Sequence, residues 1–393
     1  MSVDLSSEQR ELRERAREFS KEHIRPASAE YVDSGEWPWD LFEAAADAGL
    51  IGLWIDERYG GQGKSLVEQC LVDEEFARGD SNIGLALHSS VIGCHVVSKF
   101  GTHQQKERWI PPVTRGDVTT SLGLTEPETG SALQEVSTTA ERDGDEYVIN
   151  GAKRWVGNGS RSDWVATLCR TDTDVESGKE GLSIVVVPTD TEGFTGTPIE
   201  KMGLMGNDHA ELTYDDVRVP AENLLGEEEG QGFYQVLDWL NEGHGRIAVA
   251  AVSVGQALGA LDRAREYAEQ REQGGQPISD YQGMRWKFAD MKTQVEVARS
   301  QLYRAARVAT AHADGDAESV DENLIEQASI AKLYASEMAD DVAREAVQVF
   351  GGNGYAKEYG VEHIYRDAKA GTLYEGTSEV LRNTIGKTVF GEL

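Results

Sequence analysis

Near the C-terminus, the run Tyr374-Glu375-Gly376-Thr377-Ser378-Glu379 places one carboxylate in surroundings unlike those of the other acidic residues. Tyr374 offers Glu375 an apolar wall, while Gly376 and Thr377 supply a compliant backbone and a hydroxyl that let a ligand come close. A carboxylate kept partly dry has a raised pKa, which makes it a better base toward a weakly acidic proton. Glu375 is therefore the candidate general base, with Tyr374 and Gly376 beside its substrate.

Three further stretches have the composition of ligand-binding loops. Leu122-Gly123-Leu124-Thr125-Glu126-Pro127-Glu128-Thr129-Gly130-Ser131 reads as a strand running into a loop whose amides could cradle a polar group. Taken alone, an ordinary strand-end turn explains it too. In Lys153-Arg154-Trp155-Val156-Gly157-Asn158-Gly159, Trp155 is either a core residue or the flank of a planar cofactor. In Gln348-Val349-Phe350-Gly351-Gly352-Asn353-Gly354 a helix ends in three glycines where a C-cap needs one. The surplus permits close backbone approach to a ligand. His88, His95, His209 and His244 show no metal-ligand spacing, and no metal is expected.

These stretches need elements to position them. Ser6 is a plausible N-cap for a helix running to Pro26, and helices are expected at about 39–48, 65–78, 83–100 and 103–115. From Gly116 the texture changes to short strand-like runs at 118–125, 146–150, 152–156, 164–169, 183–187 and 211–214. Asn150-Gly151 between apolar runs predicts a type I′ hairpin. After Gly232, helical patterns return at about 233–272, 281–313, 322–350 and 376–390. The order gives an α+β multidomain chain: an N-terminal all-α domain (1–117), a middle β-barrel or sandwich domain (118–225) and a C-terminal four-helix bundle (226–393). Without βαβ alternation, a Rossmann fold is disfavoured.

The 393 residues carry 69 Asp and Glu against 38 Lys and Arg, a formal charge of -31, which argues against nucleic acid or an anionic membrane as partner. Apolar residues still make up 39% of the chain, so the acid excess belongs to a surface and not to disorder. Lysine is scarce beside arginine, and that acidic surface suits solubility at very high salt, the habit of an extreme halophile. Cys70, Cys94 and Cys169 are too few and too far apart for a disulfide framework or zinc site and read as buried thiols of a reducing cytoplasm. No basic start precedes an apolar run and no eighteen consecutive apolar residues occur, so neither export nor a membrane span is expected.

In the order TEPxxGS, KxWxxN, QxxGGNG and YEGTSE, the four stretches together resemble the acyl-CoA dehydrogenases, flavoproteins that desaturate acyl-CoA thioesters. Asp215-Asp216-Val217-Arg218-Val219-Pro220, Phe288-Ala289-Asp290-Met291 and Arg366-Asp367-Ala368 extend the resemblance along the chain. It implies FAD between the β domain and the C-terminal helices, with Leu122, Leu124, Thr125, Gly130, Trp155 and Gly157 around the flavin. It also implies Ser131 on the flavin or CoA side, Arg246 near the substrate, and Thr377 and Glu379 near the ADP half. Arg271, Gln348, Gly351 and Gly352 would approach the FAD of a neighbouring subunit in a tetramer or dimer.

The mechanism implied is α-proton removal by Glu375 and β-hydride transfer to flavin N5, giving a trans-2-enoyl-CoA in fatty acid metabolism. The developing enolate would be met by the Glu375 amide and a ribityl hydroxyl, and electrons would pass to an electron-transfer flavoprotein. Alternatives on the same scaffold are an acyl-CoA oxidase, a flavin monooxygenase, or a binding and assembly protein without turnover. Some relatives carry the base just before Arg246; here that residue is Gly245, and Glu242 is the rival if the alignment slips. Three departures stand out: Gly157 replaces a hydroxyl residue, Ala132 an aspartate, and Gly274 an aromatic.

Overall fold

Ser6 Oγ accepts a hydrogen bond from the Gln9 amide and the Gln9 side-chain oxygen accepts one from the Ser6 amide, a capping box that starts α1 (Ser7–Phe19). The computed structural model describes residues 5–175, 178–241, 244–315 and 323–392. Pro26 does not stop the first helix as expected. The chain makes a π turn over Ser20–Ile24 and continues as α2 (Arg25–Ser34), with Pro26 in the first turn of α2, where a missing N–H is tolerated.

Six more helices follow: α3 (Trp39–Asp47), α4 (Leu66–Gly79), α5 (Ser81–Ser89), α6 (Ile92–Phe100), α7 (His103–Trp109) and α8 (Pro111–Thr114). The single helix expected over 83–100 is divided in two. Its break at Ser90 frees a carbonyl that accepts from the Thr120 amide at 2.9 Å and the Thr120 hydroxyl at 3.1 Å, tying the helical layer to the first strand.

That strand is β1 (Thr120–Gly123). It is followed by β2 (Thr139–Asp143), β3 (Glu146–Gly157), β4 (Trp164–Arg170), β5 (Leu182–Pro188), β6 (Phe194–Pro198) and β7 (His209–Pro220). β4 pairs parallel with β1 and antiparallel with β5, while β3 lies antiparallel between β2 and β7, and β6 flanks β7. The hairpin expected at Asn150-Gly151 is absent: β3 runs through both residues, and the tight turn is at Gly144, joining β2 to β3.

Gly151 has another purpose. The register against β7 shifts there, φ is 145°, and a Cβ would lie 2.7 Å from the Thr138 Cα, so glycine is required by a crossing backbone. Asn150 and Asp216 brace the bulge by exchanging hydrogen bonds of 2.8 and 3.0 Å. β2 and β6 escaped the sequence reading because both are mostly solvent-facing and carry no apolar run.

The C-terminal part holds α9 (Gly232–Asn241), α10 (Arg246–Gln270), a short hairpin of β8 (Glu272–Gln273) and β9 (Gln276–Pro277), α11 (Gln282–Ala313), α12 (Leu324–Phe350), α13 (Glu362–Gly371) and α14 (Ser378–Val389). One helix was expected over 233–272, and two are found; α13 was not expected. α10 packs against α4, α11 and α12 through small residues, and a Cβ on Gly255 would lie 2.2 Å from the Glu74 carbonyl oxygen. The stretches Ser81–Phe100 and Arg246–Gln270 are long and apolar enough to cross a membrane, and both are instead buried inside the folded chain.

Candidate active site

Glu375 lies in the short connection between α13 and α14, at φ 54°, a left-handed conformation that a residue with a Cβ adopts only when its surroundings hold it there. Both sides of the connection are fixed. The Leu373 amide bonds the Ala370 carbonyl at 2.9 Å, the Ser378 amide bonds the Thr372 carbonyl at 3.1 Å, and Thr377 caps α14 by accepting from the Val380 amide. From α12 the buried Lys332 donates to the Gly376 carbonyl at 2.7 Å, and its ammonium lies 5.8 Å from the centre of the Tyr374 ring.

Burial pushes the Glu375 carboxyl up to about 7, against the pull of the positive charges on Lys332, His88 and Arg246. The phenol of Tyr374 beside it is raised by burial and by the Glu375 charge. Lys332 is brought down to about 8 by burial, with Glu375 opposing. Arg246 starts α10, bonds Asn241 Oδ1 at 3.0 Å and Ser329 Oγ at 3.2 Å, and leaves its buried Nε without a partner among the described residues. His88, on α5, bonds Asp73 at 3.2 Å; burial lowers its pKa, but Asp73 and Glu375 outweigh that and raise it.

Gly245 stands directly against Glu375: a Cβ there would lie 3.2 Å from Glu375 Oε2. The two candidate positions for a base thus face the same space, and a larger residue at 245 would crowd Glu375. Glu242, the rival candidate, lies outside the described residues.

On the other wall, β1 and β3 are joined where the flavin-facing residues were expected. The Arg154 amide bonds the Thr125 carbonyl at 2.8 Å, and Ser121 Oγ bonds the Gly157 carbonyl at 2.8 Å. Trp155 is no core residue: its indole is 52% exposed and its backbone is held at φ 60°. An exposed indole in a constrained conformation fits the flank of a planar isoalloxazine. Leu122 is largely buried in the core, Leu124 and Thr125 are half-buried, and Gly130 and Ser131 are exposed on the loop beyond. A Cβ on Gly157 would meet nothing closer than Ser89 Cβ and Oγ at 3.9 Å, so a hydroxyl of α5 faces the position where the expected one is missing.

The remaining predicted residues are not brought here. Arg271 ends α10, 25 residues from Arg246, and a helix of that length spans roughly 37 Å. Gln348, Gly351 and Gly352 close α12 beside it, all exposed, where Phe350 stacks on Tyr267 of α10 at 4.1 Å and Asn353 bonds the Tyr267 hydroxyl at 2.9 Å. The aromatic missing at Gly274 is replaced in space by Tyr281, whose hydroxyl bonds the Gln273 carbonyl at 2.7 Å and would lie 2.4 Å from a Cβ on Gly274. Thr377 has its hydroxyl engaged as a helix cap, and Glu379 is exposed in the first turn of α14.

Sequence reasoning missed Lys332, His88, Asp73, Ser89 and the buried pair Glu126–Lys153. A lysine among Ala328, Ala331, Ala335 and Ala339 on one face of α12 was a legible signal, since a buried ammonium needs a partner. Glu126 accepts from Lys153 Nζ at 2.9 Å, from the Ser137 and Thr138 amides at 2.8 Å, and from Ser137 Oγ at 2.7 Å. Among the described residues no group of three or more His, Cys, Asp or Glu side chains is arranged to hold a metal ion.

Comparison with known proteins agrees with this geometry along the whole chain. Models of the acyl-CoA dehydrogenase N-terminal, middle and C-terminal domains match residues 6–117, 121–217 and 230–390. A probable acyl-CoA dehydrogenase of Bacillus subtilis, YngJ, is 40% identical over 390 residues, covering 98% of this chain and 99% of that protein. Butyryl-CoA dehydrogenase from Megasphaera elsdenii superposes with a TM-score of 0.91 at 35% identity, covering 99% of this chain and 100% of that one. A glutaryl-CoA dehydrogenase from Mycobacterium smegmatis in complex with FADH2 gives 0.89 at 29% identity, covering 99% and 97%.

Proposed function

The chain belongs to the acyl-CoA dehydrogenase family of FAD-dependent oxidoreductases, and from that premise we propose that Glu375 takes the α-proton of a short- or medium-chain saturated acyl-CoA. The product is the trans-2-enoyl-CoA. The observation that carries this reading is a carboxyl poised at about 7, on a connection braced from both sides, with the missing side chain of Gly245 leaving its Oε2 uncrowded. A base with that value is about half ionised at neutral pH and strong enough to share the proton in the transition state.

FAD, when bound against these residues, would supply the acceptor for the hydride that leaves the β-carbon. The chain's own residues do the rest. Glu375 holds and removes the proton, and its amide faces the developing enolate oxygen. Lys332 fixes the carbonyl of Gly376 and so the direction of the carboxylate. Trp155, Leu122, Leu124, Thr125, Gly130, Ser131 and Gly157 hold the isoalloxazine side, while Arg246 and Tyr374 close the pocket around the acyl thioester.

Arg271, Gln348, Gly351 and Gly352, exposed at the far end of α10 and α12, support a homo-oligomer in which they meet a neighbour's FAD, with Thr377 and Glu379 nearer the ADP half. Transfer of electrons to an electron-transfer flavoprotein in the cytoplasm, and operation at high salt, complete the reading. Its test is anaerobic mixing of the FAD-loaded protein with butyryl-, hexanoyl- and octanoyl-CoA. Rapid bleaching of the flavin with formation of the matching enoyl-CoA is expected; failure of all three to bleach it would overturn the substrate class.

A further inference from the structure

Beside the base lies a cluster that proton removal does not use. The Trp54 indole stacks on the His95 imidazole at 4.1 Å with 11° between planes, and the His244 ring sits 4.9 Å from the first and 4.6 Å from the second. Three separate elements supply it: the loop after α3, α6, and the turn leading into α10. His244 immediately precedes Gly245, whose Cβ would lie 3.2 Å from Glu375 Oε2, and His88, whose charge acts on Glu375, also acts on both His95 and His244, so the cluster lies near Glu375.

Trp54 Nε1, His95 Nδ1 and His244 Nδ1 are each buried without a hydrogen-bond partner among the described residues. His95 is buried, while the rings of Trp54 and His244 are half-buried. Leaving a buried polar atom unpaired costs about 1–3 kcal/mol, so three in one cluster mark either a defect or a recognition site. Their convergence from three elements near Glu375 argues for recognition.

We propose that Trp54, His95 and His244 form a polar subsite of the acyl pocket, which selects an acyl-CoA carrying an uncharged oxygen, a hydroxyl or a carbonyl, on its fourth or a later carbon. The inference rests on Glu375 being the base, because it places the acyl chain in front of that residue. Trp54 Nε1 can only donate, and each imidazole Nδ1 can donate or accept, so together they satisfy an oxygen in either role. A hydrocarbon chain would leave all three unpaired.

A terminal carboxylate fits less well. Burial holds His95 well below its ordinary value and brings His244 down to about 4, with nearby His88 acting in the same direction on both, so the subsite carries no positive charge to offset a buried anion. The reaction is otherwise unchanged: a proton leaves the α-carbon, a hydride leaves the β-carbon, and the distal oxygen is only bound.

The FAD-loaded protein is to be given pentanoyl-CoA, 5-hydroxypentanoyl-CoA and glutaryl-CoA anaerobically. Flavin bleaching should show a kcat/KM at least about tenfold higher for the hydroxy substrate than for pentanoyl-CoA, the discrimination expected of a site built to pair a hydroxyl. Trp54→Phe, which keeps the ring and removes its donor, should shrink that ratio toward one. Calorimetric Kd values for the same thioesters with Glu375→Gln, where no turnover intervenes, should fall in the same order. Bleaching by pentanoyl-CoA as efficient as by the hydroxy compound overturns the subsite and leaves the base assignment standing. Preference for glutaryl-CoA overturns its uncharged character, and bleaching by none of the three removes the base assignment and the subsite with it.

Discussion

Glu126 and Glu375 are the same side chain, each enclosed by the fold with a buried lysine nearby, and they are held at opposite ends of the carboxyl range. Burial raises both. At Glu126 the charge of Lys153, its direct bond, and bonds from Thr138 and Ser137 outweigh burial and hold the carboxyl down to about 2. At Glu375 burial wins and the carboxyl stands near 7, because Lys332 directs its short bond to the Gly376 carbonyl and reaches the carboxylate only as a charge. A lysine in contact makes a structural anion; a lysine turned aside by one residue makes a base.

The two carboxylates also couple to stability with opposite sign. Glu126, lowered, contributes stability that is present above its ordinary value of 4.5 and is lost as pH falls from there through about 2. Glu375, raised, favours the folded state below 4.5, and that contribution is lost as pH rises through about 7.

The largest expected effect breaks the comparison at its catalytic side. Glu375→Gln should lower the rate of flavin bleaching by at least about 10³-fold while leaving FAD binding and the urea midpoint intact, since a neutral amide suits a dry site. Substantial bleaching by that variant would move the base elsewhere, with Glu242 the first alternative.

The next effect breaks the structural side. Lys153→Met leaves Glu126 enclosed with only its Ser137 and Thr138 donors and should cost about 3 kcal/mol of stability in urea unfolding near pH 7, with part of the loss recovered in acid as Glu126 takes a proton. An unchanged midpoint would show that the three remaining bonds suffice without the ammonium.

The carboxylate proposed as the base stands out in the sequence, and the one paired inside the fold does not. YEGTSE carries Tyr374, Gly376 and Thr377 as immediate neighbours of Glu375, so its surroundings are written locally. Glu126 owes its state to Lys153, Ser137 and Thr138, which reach it from β3 and from the segment leading into β2, and long-range partners leave no local pattern. The same limit explains the hairpin error. Asn150-Gly151 has the composition of a tight turn, yet what demands its glycine is Thr138 of a neighbouring segment. Helix order and domain order were readable because apolar periodicity repeats over many residues. The break at Ser90 answers to a contact with Thr120 of β1 and was not.

A smaller effect sharpens the comparison. In the free enzyme, kcat/KM should rise with pH through about 7 as Glu375 loses its proton. Lys332→Met removes the largest of the charges that pull this value down, so the rising limb should move to higher pH, and Lys332→Arg should return it. A limb that stays in place while activity falls would mean that Lys332 acts only by holding the Gly376 carbonyl.

The smallest effect concerns the wall opposite the base, where Gly157 removes the hydroxyl that the family resemblance implies near the flavin. The nearest atoms to an added Cβ are Ser89 Cβ and Oγ at 3.9 Å, an ordinary contact, and Gly157 is not among the residues with positive φ. Gly157→Ser should therefore change stability by no more than about 0.5 kcal/mol. If the Ser89 hydroxyl already serves the place of the missing one, Ser89→Ala should slow bleaching more in the natural background than in the Gly157→Ser background, a coupling that a double-mutant cycle on the bleaching rate reads directly. Equal losses in the two backgrounds would mean that Ser89 does not substitute for a hydroxyl at 157, and that the flavin side of this site depends on backbone groups alone.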